Sequence, residues 1–436
     1  MDVRLMCALG MMAMLVTAGC RSTGAAETPR QFPLQTASAE DQALFAEVKA
    51  SVLKEAAKPP LILTDVGEGY FWVMSARMMP LLDAYEYSGD AAFLDAYVPI
   101  QEHVLSQRTR HPTRPDVWTG WWYYKGADTL YDMPIHAAIA YYTPALRFVG
   151  FVRADPALRA KYGRAAEAWF KNIVDVEIPS WDKRGTWHDL GDGTGYYTHV
   201  TQHPVKGSDK IVAREDLYGG STLAYNKVHA FIESLVLAHR LTGDDAYRQR
   251  IEKCEKFFRN RWRVDDKHAE WNYRDYSGPW DYDPNETQPT RRGASNQHDG
   301  RKTKTGYFIH PKGGYYAADL EAIVACYNVG IVFTRADIEK LVRTNLEFMW
   351  MGDATDPKFR KIDGSYTEEG KYGKGYLWTA LAQFSPQVRS LWKTQVERAR
   401  KANSYNWAAG ALSYLLATAE PVSWEPRYAT EIPRKE

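Results

Sequence analysis

Apolar residues recur at three- and four-residue spacing over most of the chain, which is the pattern of helices with one buried face. Polar residues occupy the positions between them. This spacing predicts helices over residues 40–57, 69–88, 90–108, 129–149, 156–174, 223–241, 244–262, 316–329, 335–350 and 403–418. The helical pattern therefore accounts for most of the body of the protein.

Three of these helices begin after a similar polar turn. The turns read SGDAAFLDAY, RADPALRAKY and TGDDAYRQRI, and their aspartates are Asp90, Asp155 and Asp244. An aspartate at this point can accept hydrogen bonds from the unpaired N–H groups of a first helical turn. Such turns between successive helices indicate stacked α-hairpins, and their uneven spacing excludes a regular repeat array. We predict an all-α fold: an (α/α) toroid, or incomplete helical barrel built from α-hairpins, with long irregular cleft loops.

The helical pattern is lost in residues 181–218 and 264–315, which are rich in glycine, proline, aspartate, asparagine and aromatic residues. Irregular segments of this length within a compact domain are usually functional loops. No run of alternating strands predicts a β-sandwich. Residues 41–436 are therefore expected to form a single toroid catalytic domain, in which both segments border the cleft.

The N-terminus has the pattern of an export signal. Asp2 and Arg4 precede an apolar stretch over 6–16, too short for a stable membrane span, and TAGC follows it. This pattern predicts a lipoprotein signal peptide over 1–19, with Cys20 as the lipidated first residue, and a flexible tether over 20–40. Because arginine follows Cys20, we expect an outer-membrane lipoprotein, periplasmic or at the cell surface. An ordinary secretory signal is the alternative.

Charge and cysteine content narrow the function further. The chain has 55 lysines and arginines against 54 aspartates and glutamates, and this balance argues against a nucleic-acid-binding protein. Cys254 and Cys326 lie in apolar helical stretches and are expected to be buried free thiols. No cofactor and no metal are predicted, since the histidines near residue 190 lack a recognisable ligand spacing. A monomer is expected.

Aromatic residues are concentrated in three loop-like stretches, namely WTGWWYYKG, EWNYRDYSGPWDYDP and HPKGGYYAADLE. Aromatic faces can pack against the flat C–H faces of sugar rings, and neighbouring polar groups can bind the sugar hydroxyls or a carboxylate at a helix N-terminus. The candidate substrate-binding residues are Arg77, Trp121, Trp122, Tyr123, Tyr124, Lys125, Tyr131, Trp271, His310, Lys312 and Tyr315. Alternatively, these aromatic residues belong to the hydrophobic core and fill space between helix layers.

A second set of polar residues suits β-elimination of a uronic acid. Asn226 and His229 are three residues apart, so both project from one face of a helix, and Arg274, Tyr276 and Tyr282 follow some fifty residues later. Asparagine, histidine and arginine can neutralise the charge that develops on the uronate carboxylate. A tyrosine of lowered pKa can take the C5 proton. These five residues are the predicted catalytic residues.

These residues, together with the HPKGGYYAADLEAIV segment, resemble polysaccharide lyase family 38, and distantly the toroid-fold alginate lyases. The resemblance covers about residues 69–418. It implies an alginate or glucuronan lyase that acts on an anionic polysaccharide, in which Asn226, His229 and Arg274 match the neutralising residues. Tyr282 matches the tyrosine base and acid best by spacing, with Tyr276 next. In the alginate lyases the asparagine and histidine are adjacent, whereas two residues separate them here, and His229 is an alternative base.

Two other functions fit the same chain. A glycoside hydrolase needs two carboxylates, one of them protonated, and the available residues are Asp65, Glu68, Glu270, Asp319 and Glu321. The sequence singles out no pair among them, and residues 319 and 321 lie two apart on a helix and so face different ways. A non-catalytic surface protein that binds glycans through its aromatic residues alone is the third possibility.

Overall fold

The computed structural model describes residues 31–63, 69–124, 130–132, 137–205, 208–213, 220–265, 268–275, 309–310, 313–368, 374–404 and 407–427. The long helices are α1 Ala39–Ala56, α2 Gly69–Ser88, α3 Ala92–Ser106, α4 Thr143–Ala154, α5 Pro156–Asn172, α6 Ile178–Lys183, α7 Tyr225–Thr242, α8 Asp245–Arg259, α9 Gly314–Asn328, α10 Arg335–Arg343, α11 Pro386–Lys401 and α12 Trp407–Thr418. Single π-helical turns, Ala138–Tyr142, Ile173–Glu177 and Thr344–Met349, adjoin α4, α5 and α10, and 3-10 turns form at Pro33–Gln35 and Thr379–Gln383.

Short strands in the connections pair into two-stranded antiparallel ribbons. The strands are β1 Thr109–Arg110, β2 Thr119–Gly120, β3 Trp122–Tyr124, β4 Leu130–Asp132, β5 Trp187–Asp189, β6 Gly195–Tyr197, β7 Gln202–Pro204, β8 Ile211–Ala213, β9 Arg263–Val264 and β10 Ala269–Glu270. Each odd-numbered strand pairs with the even-numbered strand that follows it. The ribbons lie in the connections between helix pairs, so they supplement the helical body.

The helices form an inner and an outer layer. The inner helices α2, α4, α7, α9 and α12 pack side by side, and the turn Thr379–Gln383 lies between α9 and α12. The outer helices α1, α3, α5, α8 and α11 each pack against an inner partner. Because α12 contacts both α1 and α2, the last helix meets the first ones and closes the ring. The all-α toroid predicted from the sequence is confirmed.

The two ends of the ring differ. At one end, short turns join an inner helix to the next outer helix. Gly243, with φ of +65°, ends α7 and donates its N–H to the carbonyl of His239 over 2.7 Å. Asp244 then accepts a hydrogen bond from the N–H of Ala246 at the start of α8. Asp155 caps α5 in the same way, and Asp90 accepts from the N–H of Ala92. The long connections return to the N-terminal ends of the inner helices, so the irregular loops surround that opening.

Some helix boundaries differ from the prediction. The helix expected over 129–149 is replaced in its first part by strand β4, and the described helical residues include the π-helical turn Ala138–Tyr142. Helix α11 was not predicted, although Ser385 caps it and Pro386 occupies its first position, both of which are signals of a helix start. The helix expected over 156–174 continues to Lys183, where Trp181 stacks on Phe231 of α7 with ring centres 4.1 Å apart.

The predicted signal peptide, Cys20 and the first part of the tether lie outside the described residues. Within the described ranges, no helix is long and apolar enough to cross a bilayer. Cys254 and Cys326 are buried and make no disulfide, as the sequence predicted.

Candidate functional site

Charged side chains from several inner helices meet inside the ring. Asp83 and Glu86 come from α2, Arg147 from α4, Glu233 from α7 and Glu321 from α9. We call these five residues the central cluster. Each interrupts an apolar stretch of its helix, as in PALRFVG and AFIESLV. Since the remaining faces of an inner helix pack against its neighbours, a charged residue there is most stable where it can reach the solvent of the central opening.

Arg147 joins the two carboxylates of α2. Its Nη2 atom lies 2.8 Å from Oδ1 of Asp83 and 2.7 Å from Oε2 of Glu86. Ser413 of α12 donates its hydroxyl to Oδ2 of Asp83 over 3.4 Å. The side chains of Asp83 and Arg147 are 15% and 18% exposed. Side chains from two other inner helices, α4 and α12, thus hold Asp83 in place, while water still reaches it.

Glu321 retains a proton at an unusually high pH. Burial raises the pKa of Glu321 to about 7, with the charge of Asp83 adding to the increase and Arg147 opposing it. By surface area Glu321 is nevertheless exposed. The two observations agree if its carboxyl lines a narrow opening, where water reaches it but protein surrounds it on most sides. Solvent around this exposed carboxyl screens part of the effect of the neighbouring charges.

The pKa values of two neighbouring carboxyl groups, those of Glu233 and Asp83, are raised as well. Burial raises the pKa of Glu233 well above its usual range, and the negative charge of Glu321 raises it further. Burial also raises the pKa of Asp83, but the guanidinium of Arg147 opposes that increase. Glu233 and Glu321 titrate as an interacting pair that holds a proton near neutral pH. The cluster therefore combines a protonated carboxyl with a carboxylate paired to an arginine, and these can serve as general acid and base.

The structure brings four residues predicted from the sequence together at the N-terminal ends of α7 and α9. They are Asn226, His229, Trp271 and Arg274, with 3%, 1%, 0% and 7% of their surface exposed. The N–H of Tyr225 donates to the carbonyl of Tyr273 over 3.0 Å, and this bond joins the loop to α7. Arg274 donates from Nη1 to the carbonyl of Thr222 over 2.8 Å. The sequence thus predicted a real cluster, but its members are buried.

His229 forms an ion cluster with two carboxylates. Its Nδ1 lies 2.6 Å from Oδ1 of Asp319 on α9, and its Nε2 lies 3.5 Å from Oε1 of Glu255 on α8. Burial lowers the pKa of His229, but the two carboxylates outweigh it and raise the pKa to about 10. The imidazole is therefore protonated, and both of its nitrogens face protein carboxylates. In this state it is not a base and has no nitrogen left for a uronate.

Several predicted sugar-binding residues belong to the core. Trp121 is fully buried and donates from Nε1 to the carbonyl of Val104 over 2.7 Å. Trp271, also fully buried, donates from Nε1 to Oδ2 of Asp319 over 2.9 Å. Arg77, 9% exposed, donates to the carbonyl of Pro59 over 2.8 Å. The two indole rings cannot pack against a sugar, because protein covers both faces and satisfies their N–H groups.

His310 and Tyr315 occupy a different position. Both are half-buried at the N-terminal end of α9, where the ring of His310 lies 4.5 Å from that of Tyr273 and 4.6 Å from that of Tyr315. Their place on the loop side of the ring is compatible with sugar binding, which stays a prediction for both residues.

Other predicted residues cannot be placed. Tyr276, Tyr282, Lys125, Lys312, Asp65 and Glu68 lie outside the described residues. Trp122, Tyr123, Tyr124 and Tyr131 contribute backbone to β3 and β4, but their side chains are outside the description. Among the residues that are described, no group of three or more histidine, cysteine, aspartate or glutamate side chains is arranged to hold a metal ion.

Asp83, Glu86, Arg147 and Glu233 were not among the residues predicted from the sequence, which offered Glu321 only as one of several carboxylates. A usable signal was present, because each of these charges stands in a stretch of apolar residues such as MMPLLDAYEY or AADLEAIVA. Asp319 and Glu321 do face different ways, as the helical spacing predicted. Asp319 binds His229 in the core, and Glu321 is exposed to solvent.

Comparisons with known proteins give structural similarity alone. No family model and no curated protein matches the sequence. An α-1,6-mannanase of glycoside hydrolase family 76 from a Salegentibacter species aligns over 86% of this chain and 100% of its own, with 10% identity and a TM-score of 0.46. A family 76 α-mannanase from Bacteroides thetaiotaomicron aligns over 79% and 68%, with 10% identity and a TM-score of 0.38. A D-mannose isomerase aligns over 89% and 88%, with 11% identity and a TM-score of 0.44.

The prediction of a family 38 polysaccharide lyase is wrong. The aligned structures are family 76 glycoside hydrolases and an isomerase, not lyases of that family. The predicted cleavage of alginate or glucuronan by β-elimination is therefore wrong as well. The site gives a physical reason as well, since His229 is locked between Asp319 and Glu255 and cannot neutralise a substrate carboxylate. At these identities the alignments concern the fold, and the activity has to be argued from the central cluster.

Proposed function

We propose that the protein is a glycoside hydrolase that cleaves a polysaccharide in the central opening of the helical ring. The observation that carries the proposal is the central cluster, in which the solvent-accessible carboxyl of Glu321 lies near an arginine-bound Asp83 and has its pKa raised to about 7. Hydrolysis of a glycosidic bond requires this combination of a protonated and an ionised carboxyl group. The sequence alone favoured a lyase over this reaction.

In the proposed reaction, Glu321 donates its proton to the glycosidic oxygen as the bond to the anomeric carbon breaks. Asp83, in its ionised form paired with Arg147, stabilises the positive charge that develops at that carbon. Water then supplies a hydroxyl group to the anomeric carbon and a proton that restores Glu321. The negative charge of Asp83 disfavours ionisation of Glu321, since two adjacent carboxylates repel each other.

The charge of the cluster also bears on the substrate. Asp83 and Glu86 carry two negative charges against the single positive charge of Arg147, so a saccharide with carboxylate groups would meet net repulsion. We therefore propose an uncharged polysaccharide rather than the anionic one predicted from the sequence. The proposal keeps the sequence-based expectations of a single catalytic domain, of a monomer, and of attachment to the outer membrane through Cys20.

The function is tested by incubating the full chain with α-1,6-mannan, xylan, β-glucan and alginate in water enriched in oxygen-18. We expect new reducing ends from a neutral polysaccharide, with one heavy oxygen atom incorporated per bond cleaved, because hydrolysis adds water across that bond. Reducing ends would be counted by a colorimetric assay and the products weighed by mass spectrometry. The absence of heavy oxygen in the products, or of products from all four polysaccharides, would rule out the proposal for these substrates.

The rate of hydrolysis should fall as the pH rises through neutrality. Glu321 acts in its protonated form, so turnover should fall as the pH rises through about 7, where that proton is lost. Asp83 acts in its ionised form, so turnover should also fall in acid, beginning above the usual carboxyl range because burial raises the pKa of Asp83. Initial rates between pH 4 and 9 would test this, and a rate that rises steadily above pH 8 would contradict it.

A further inference from the structure

Tyr376 stands out among the aromatic residues near the opening. Its side chain is 48% exposed, whereas neighbouring Trp378 is fully buried. Its ring packs against the first residues of α9: a Cβ atom on Gly314 would lie 3.7 Å from Cε2 of Tyr376, and one on Gly313 would lie 3.3 Å from Cδ2. The ring therefore covers the N-terminal end of an inner helix, on the side where the long loops surround the opening.

The helix register relates this ring to Glu321. Gly314 and Glu321 are seven residues apart on α9, which places them on nearly the same face of the helix, about two turns or ~10 Å apart along its axis. Glu321 is exposed to solvent, and Gly314 points in nearly the same direction, two turns closer to the N-terminal end of α9. The ring of Tyr376 thus lies at the mouth of the opening, on the same side of the ring of helices as the proposed acid.

The backbone that carries Tyr376 is firmly held. The buried side chain of Asn345 donates to the carbonyl of Tyr376 over 3.1 Å and accepts from the N–H of Trp378 over 3.0 Å. The N–H of Gly375 donates to the carbonyl of Phe359 over 2.8 Å. A Cβ atom on Gly375 would lie 1.8 Å from the carbonyl oxygen of Arg360, so this close approach requires glycine. A fixed backbone that presents an exposed ring is preorganised for binding.

We propose that Tyr376 is a stacking platform for a sugar ring of the substrate at the mouth of the opening, about two helical turns from Glu321. This inference rests on the proposed function and adds a binding subsite to it. An exposed, amphipathic ring on a rigid loop can pack against the apolar C–H face of a sugar, while its hydroxyl stays in water. Polysaccharide chains that are long enough to reach from Glu321 to Tyr376 gain this contact and bind more tightly, whereas shorter chains do not.

Affinity electrophoresis tests the subsite, with the full chain run in native gels containing α-1,6-mannan, xylan or β-glucan. Tyr376→Ala should weaken the interaction with the retarding polysaccharide about tenfold, since the aromatic contact is lost. Tyr376→Phe should bind like the unmodified protein, because it keeps the ring. Tyr247→Ala, on outer helix α8 near the opposite end of the ring, is the matched control and should also bind normally. Melting temperatures would check that each variant is folded.

The outcomes separate this inference from the proposed activity. A Tyr376→Ala variant retarded as strongly as the unmodified protein would overturn the platform, and so would an unmodified protein retarded by none of the three polysaccharides. Glu321→Gln should be retarded normally, because it lacks only the acid. If Glu321→Gln kept its hydrolytic activity while Tyr376→Ala lost binding, Glu321 would not be the general acid. Tyr376 would still be confirmed as a sugar-binding residue.

Discussion

Replacing Glu321 with glutamine should reduce polysaccharide hydrolysis by about 10²–10⁴-fold, the usual contribution of a general acid. Glutamine has nearly the same size and keeps hydrogen-bonding atoms, but it has no proton to give to a leaving group. Binding should change little, so kcat should fall while KM stays within a small factor. Release of reducing ends from the polysaccharide identified as the substrate measures the effect.

A matched control distinguishes a missing proton donor from a general loss of charge. Glu339→Gln removes a solvent-exposed carboxylate from helix α10, where it pairs with Arg335. That variant should keep full activity, and both variants should unfold at temperatures close to that of the unmodified protein. If Glu321→Gln retained half or more of the original turnover, the acid would have to be assigned elsewhere, with Glu233 the next candidate.

Replacing His229 with leucine should lower the free energy of unfolding by about 3–5 kcal/mol at neutral pH, the usual cost of breaking a buried ion pair. His229 on α7 lies between Glu255 on α8 and Asp319 on α9, and all three side chains are buried. Without the imidazolium, two carboxylates remain in the core with no positive partner at that point. Urea denaturation followed by circular dichroism would measure the loss.

The pH dependence of that loss tests whether His229 stabilises the protein as a cation. The pKa of His229 is raised from 6.5 to about 10, so the stabilisation it provides is fully present below about pH 6.5 and is lost as the pH rises towards 10. The difference between the two proteins should therefore shrink in alkali. His239→Leu is the control, because that histidine is buried on the same helix but contacts the carbonyl of Asp244. An equal loss for both variants at every pH would contradict the ion cluster.

The sequence anticipated the fold better than the site, and particular residues explain why. Asp155 and Asp244 could be identified as caps because capping is a local property of four or five residues. Helix α11 was not predicted, although Ser385 and Pro386 mark its start. The catalytic prediction selected His229 because it lies on the same helical face as Asn226 and could neutralise a substrate carboxylate. Its actual role depends on Glu255 and Asp319, which lie 26 and 90 residues further along the chain.

The sequence by itself determined that this protein is a ring of α-hairpins, because helix periodicity and capping act between residues three or four positions apart. It also determined that Asp319 and Glu321 face opposite sides of one helix. Only the tertiary structure decided which charges meet inside the ring. Asp83, Arg147, Glu233 and Glu321 come from four different helices, and their protonation depends on burial and mutual repulsion that arise once the ring is closed.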